Sequence, residues 1–171
     1  PKQMEAKGIH CRAFAPIKPL LCTAQNNRDH RKIVVIDGHT AFTGGVNLAD
    51  EYINEKPRFG YWKDTAVMLK GEAVKSFTIM SLQIWNIWEK TPLSYEKYLN
   101  RDLDREGQSA NKESFGGGFV MPYGDSPLDH EPVGKYVYVD ILYQAKSYVH
   151  IMTPYLILDD ETINALVFAA K

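Results

Sequence analysis

The stretch HRKIVVIDGHTAFTGGVN, residues 30–47, decides how the rest of the chain is read. It opens with His30 and Lys32, runs through the apolar residues Ile33 to Ile36, and reaches Asp37. Gly44, Gly45 and Asn47 follow. Side chains two apart on a strand share a face, so His30 and Lys32 are expected to project the same way from a buried core strand over 30–36. The glycines permit a tight turn or a close backbone approach to a bound group. Asn47 can return a polar amide to the same pocket. Imidazole, ammonium and amide converging on one point suit a phosphate oxyanion: a nucleophile or acid, a fixed cation and a neutral donor. The plainer alternative is a satisfied core histidine beside a lysine whose stem covers apolar surface.

Outward from this stretch the chain alternates strand and helix signals. Residues 1–7 (PKQMEAK) predict the last turns of a helix closed near Gly8, residues 9–16 a strand, and 17–28 a loop. Asp37-Gly38 is a hairpin-type turn signal leading into a second strand at 40–43. The glycine pair then enters a short helix near 48–53, followed by a loop at 54–61 and a strand at 65–69. Residues 72–90 carry the clearest helical pattern. Phe77, Met80, Ile84, Trp85 and Trp88 recur at helical spacing, while Ile79, Leu82 and Ile87 widen the apolar surface, which predicts burial on more than one side. Pro92 ends that helix. Farther on, a strand is expected at 118–121, a loop at 122–132, a helix at 136–146 and a strand at 148–153. Asp159, Asp160 and Glu161 then open a helix running to Lys171, where carboxylates favour the N-terminal dipole.

At 171 residues the chain is long enough for a sizeable core. Twenty basic residues against 21 acidic ones give a net charge of −1, which argues against broad nucleic-acid binding but leaves room for a small cationic pocket. Cys11 and Cys22 form no CxxC pair and read as reduced thiols. Asp125, Asp129, His130 and Glu131 cluster in a Pro/Gly loop without a second ligand set, so no metal site is expected there. No apolar run is long enough to span a membrane. A chain that starts on Pro1 and ends on Ala-Ala-Lys reads as a piece of a longer protein, with any membrane attachment outside these residues.

On His30, Lys32, Asp37, Gly44, Gly45 and Asn47 the central stretch resembles the phospholipase D superfamily, with its HxKxxxxD motif followed by a Gly-rich turn and an Asn. Four phrases are similar to the bacterial cardiolipin synthase branch: DHRKIVVIDGHTAFTGGVNLADEY (29–52), GYWKDTAVMLKGEAV (60–74), MPYGDSPLD (121–129) and YVHIMTPYLILDDETINALVFAAK (148–171). Leu158 departs from the pattern, where such proteins often carry proline. The resemblance implies an α/β fold, a mixed sheet flanked by helices in a phospholipase D-like lobe. It also implies two such lobes in a whole protein, each with one motif, and an active site where they meet. With one motif present, residues 1–90 would be the later part of the first lobe, 91–116 the inter-lobe linker and 117–171 the start of the second. Helix 159–171 would then fill the slot of a missing first-lobe helix, giving a permuted single lobe.

The resemblance also implies roles. His30 would be the nucleophile that attacks phosphorus, with general acid as its alternative role. Lys32 would hold non-bridging oxygens, and Asn47, Gly44 and Gly45 would complete the phosphate site. Asp64 would orient the imidazole from a neighbouring strand, fixing its tautomer and stabilising positive charge on the ring. Asp37 belongs to the catalytic motif, yet its place after the strand suits tying the turn or pairing with Lys32. Phe59, Tyr61 and Trp62 would line the lipid entrance or simply pack. The implied reaction is phosphatidyl transfer: two phosphatidylglycerol molecules give cardiolipin and glycerol through a phosphohistidine, with no cofactor and no metal. Its partners would be the anionic phospholipid and either a second lobe or a homodimer mate, with no nucleic acid. The longer protein would sit at a bacterial cell membrane, its catalytic part on the cytoplasmic side, and this piece would be soluble. The rivals are a phospholipid or nucleic-acid phosphodiester hydrolase and a non-catalytic piece.

Overall fold

The computed structural model describes residues 2–14, 29–87, 89–99, 119–126, 130–153 and 155–171. The chain divides into two compact units, Pro1–Pro122 and Tyr123–Lys171. Most of the 91–116 segment and the expected loop at 17–28 lie outside the described residues.

The first unit is built on a three-stranded sheet of order β1-β2-β3, with β1 at Ile33–Ile36, β2 at Thr40–Gly44 and β3 at Ala66–Lys70. The α/β architecture, a small sheet with helices against it, is as the sequence predicts. Both strand pairs are antiparallel, so the parallel neighbour of a mixed sheet is not among the described strands. Asp37 and Gly38 make the first turn, with φ of 54° and 69°, and the His39 N–H donates to the Ile36 carbonyl at 3.1 Å. Two successive left-handed residues match the right-handed twist of the flanking strands, which is why Asp-Gly suits this place.

One face of the sheet forms the core. Ile33, Val35, Ala41 and Leu69 pack against Val74, Phe77 and Met80 of helix α2, Val74–Asn86 (α1 is Lys2–Glu5). The opposite face is open: Val34 is 55% exposed and Ile36 49%. The expectation of a buried core strand is therefore corrected. Among the described residues β1 is an edge strand with helix cover on one side, so its burial alternates although its sequence is apolar throughout.

Helix α2 is shorter than the 72–90 pattern. The Asn86 side chain bridges to Leu93, accepting from its N–H at 2.9 Å and donating to its carbonyl at 3.1 Å, which closes the chain back on the helix end. Full burial follows one stripe, Val74, Phe77, Thr78 and Leu82, rather than more than one side. Helix α3, Glu96–Leu99, lies over the hairpin, because a Cβ on Gly38 would come within 2.7 Å of the Tyr98 carbonyl oxygen. The strand expected at 9–16 does not form over the described residues 9–14. Arg12 there pairs instead with Glu89 at 2.9 Å and lies 5.7 Å from the Trp85 ring. Residues 119–121 likewise form no strand, having no ladder partner among the described residues.

The second unit is a helix pair, α4 at Val133–Gln144 and α5 at Asp160–Ala169. Leu142 and Ala165 are buried, and Tyr143 meets Phe168 edge-on at 5.4 Å. Asp159 caps α5 by accepting from the Thr162 N–H at 2.9 Å, as its carboxylate-rich start predicts. Lys135 reaches Asp159 at 2.7 Å and Glu161 at 2.5 Å, tying the two helix starts. The strand expected at 148–153 does not form, these residues having no ladder partner among the described residues. Within the second unit α5 packs on α4, and within the first unit α2 takes the core face of the sheet.

Candidate functional site

Strand register gathers several of the expected residues at one end of the sheet. Ile33 pairs with Thr43, and Gly44 pairs with Ala66. Continued one step, the same register sets Lys32 beside Gly44 and Gly45 beside Thr65. Alternation puts Lys32 with Val34 and Ile36, on the face away from α2. Neither His30 nor Lys32 lies in β1, which begins at Ile33. His30 is exposed, and its carbonyl oxygen accepts from the Lys32 ammonium at 2.5 Å.

Asp64 is the best-held group of the site. Its Oδ1 accepts from the Gly45 N–H at 3.1 Å and the Thr65 N–H at 2.7 Å, and its Oδ2 accepts from the Trp62 indole at 3.0 Å. The indole bond, then the two backbone N–H groups and the charge of Lys32, outweigh a burial penalty and hold its carboxyl below the ordinary aspartate value. Gly45 is required here, since a Cβ would sit 2.6 Å from Oδ1. Gly44 approaches the next strand just as closely, with a Cβ position 2.6 Å from the Thr65 carbonyl oxygen. Among the described residues no hydrogen bond joins Asp64 to the His30 ring. The Asp64 carboxylate is anchored to backbone and indole.

Asp37 is not brought to this end. It occupies the hairpin turn, exposed, beyond the far end of β1, roughly 16 Å from Lys32 at the usual rise per strand residue. Asn47 is half-buried just beyond the glycine pair, and its side-chain amide makes no hydrogen bond among the described residues. Asp29, which flanks His30, grips Arg31 through its backbone N–H at 3.0 Å and its guanidinium at 2.9 and 3.0 Å. Burial opposes its charge, but Arg31 and the nearby His30 prevail and hold its carboxyl below the ordinary value.

Sequence reasoning missed Asn54. It ends the 3-10 turn Asp50–Ile53 in the left-handed conformation, φ 63°. Its amide donates to the Trp62 carbonyl at 2.9 Å and accepts from the Trp62 N–H at 2.6 Å. Asparagine tolerates that conformation better than other side chains, which was the available signal. Tyr52 and Phe59 flank the indole at 4.8 and 5.7 Å, so of the expected aromatics Trp62 packs while Tyr61 stays exposed. Asp125 accepts from the Ser126 and Gly134 N–H groups, both at 2.9 Å. Among the described residues no group of three or more His, Cys, Asp or Glu side chains could hold a metal ion, and no helix is long and apolar enough to cross a membrane.

No protein-family model matches the chain, and no solved structure matches it. Curated relatives do. An uncharacterized protein of Streptococcus mutans is 55% identical over 170 residues, covering 99% of this chain and 35% of that protein. Cardiolipin synthase 2 of Staphylococcus epidermidis is 36% identical over 171 residues, 99% of this chain and 33% of its own length. Cardiolipin synthase of Alkalihalophilus pseudofirmus is 35% identical over 170 residues, 99% of this chain and 32% of its own. The chain thus spans about a third of the length of the relatives it matches. Along nearly all its residues, the chain is homologous to bacterial cardiolipin synthases over about a third of their length.

Proposed function

We propose that the chain supplies one half of a phosphatidyl-transfer site that makes cardiolipin from two phosphatidylglycerol molecules. The observation that carries this reading is the meeting of Lys32, the glycine pair and Asp64 at one end of the sheet, beside His30. The names of the relatives point the same way. His30 attacks phosphorus, the bond from phosphorus to the head-group glycerol oxygen breaks, and glycerol leaves with a proton from an acid in the other half-site. A hydroxyl of the second phosphatidylglycerol then gives up its proton and attacks the phosphohistidine, the P–N bond breaks, and His30 is freed. Lys32 neutralises charge developing on the phosphoryl oxygens, while Asn47 and the backbone at Gly44 and Gly45 add neutral donors. Asp37 serves the turn. Residues 1–90 and 117–171 would then belong to successive lobes, joined by 91–116. The other half-site comes from a second lobe or a second copy, at a bacterial membrane.

Exposure of His30 favours a second reading, hydrolysis, because water reaches an open site more readily than a lipid hydroxyl does. One experiment separates the two. Labelled phosphatidylglycerol in micelles is given to the protein carrying this chain, with and without His30→Ala. Cardiolipin and free glycerol, lost in the variant, support transfer. Phosphatidic acid alone moves the assignment to a hydrolase. Products unchanged by His30→Ala overturn both.

A further inference from the structure

A carboxylate offers about four acceptor positions. On Asp64 two are taken on Oδ1 by the Gly45 and Thr65 N–H groups, and one on Oδ2 by the Trp62 indole. One position on Oδ2 remains. The backbone donors fix where Oδ1 sits, and the indole fixes the rotation of the carboxylate about it. Trp62 is itself held at both backbone groups by the Asn54 amide, and its ring is flanked by Tyr52 and Phe59. The charged group facing this carboxylate among the described residues is Lys32.

We infer that Trp62, clamped by Asn54, is a positioning residue that presents a single free acceptor of Asp64 to the phosphate site. The inference rests on the phosphodiester reading of that site. It assigns to the 3-10 turn and the loop after it a function beyond connecting strands: they set the angle of a carboxylate they do not carry. The free acceptor is then available to an imidazole or ammonium N–H that arrives with substrate, and not to competing rotations of the carboxylate.

The test uses two variants and one measurement on the unaltered chain. Trp62→Phe keeps an aromatic ring between Tyr52 and Phe59 and removes the indole donor. Asn54→Gly keeps the left-handed backbone and removes both hydrogen bonds to Trp62. The carboxyl carbon of Asp64 is followed by NMR through its pH titration, and the Gly45 amide is followed as inorganic phosphate is added. Both variants should raise the Asp64 midpoint and weaken the phosphate-induced shift at Gly45. In the unaltered chain the Trp62 indole N–H resonance should move through the same midpoint. An indole resonance indifferent to that midpoint overturns the inference, as does a folded variant of either kind with an unchanged midpoint. The phosphodiester reading fails separately. If phosphate shifts nothing in the unaltered chain while the midpoints still move, the clamp stands and the phosphate site does not.

Discussion

At Gly45 the backbone and the Asp64 carboxylate come so close that no side chain fits between them. Gly45→Ala should therefore push the carboxylate aside while leaving the sheet paired, since the strand ends one residue earlier. A displacement near 1 Å at a reacting site costs on the order of 100-fold in rate, and a loss of that size in product formation is expected, with a melting temperature lowered no further than by Asp64→Asn. Asp64 also makes a pH prediction. Its carboxyl is held below the ordinary value in the fold, so the unfolded chain binds protons more readily. The stabilisation is then complete above the unfolded value, about 3.9, and is lost as pH falls through the lower folded value. Asp64→Asn should lower the melting temperature at neutral pH. The gap to the unaltered chain should narrow below about pH 4, which melting curves across that range would check.

At the scale of elements, the sheet depends on one helix and one turn. Phe77 is buried between α2 and the strands, and Phe77→Ala should cost about 3–5 kcal/mol by urea denaturation, from lost burial and the cavity left behind. Gly38 has φ +69° and faces the Tyr98 carbonyl at the distance a Cβ would occupy. Gly38→Ala should cost about 1–2 kcal/mol for the left-handed backbone, and more if α3 cannot move aside. The hairpin, β3, α2 and the capped start of α5 were legible in the sequence because each has a local cause: a turn dipeptide, a helical period, an N-cap. The strand expected at 148–153 was not, because β-propensity is realised only with a neighbour to pair.

For the whole molecule, the relatives are about three times as long as this chain. A site read as half of a composite should turn over weakly by itself. Product formation by the isolated chain should be low and should follow a dimer rather than a monomer in a mass-resolved assay. Strong turnover by a monomer would remove the need for a second half.

The sequence by itself determined the α/β class, the Asp-Gly turn and the likeness to cardiolipin synthases, all carried by residues near one another in the chain. It also marked Lys32 and the glycine pair by type and spacing, and Asp64 through the family resemblance. Only the tertiary structure decided that Asp37 lies away from these groups, and that Asn54 bonds the backbone of Trp62, whose indole donates to Asp64. It also decided that Val34 and Ile36 of β1 are exposed. Each of those depends on which strand lies beside which, and on how many helices cover a sheet. Hydrophobic pattern alone does not distinguish a strand covered on both faces from one covered on a single face at an edge.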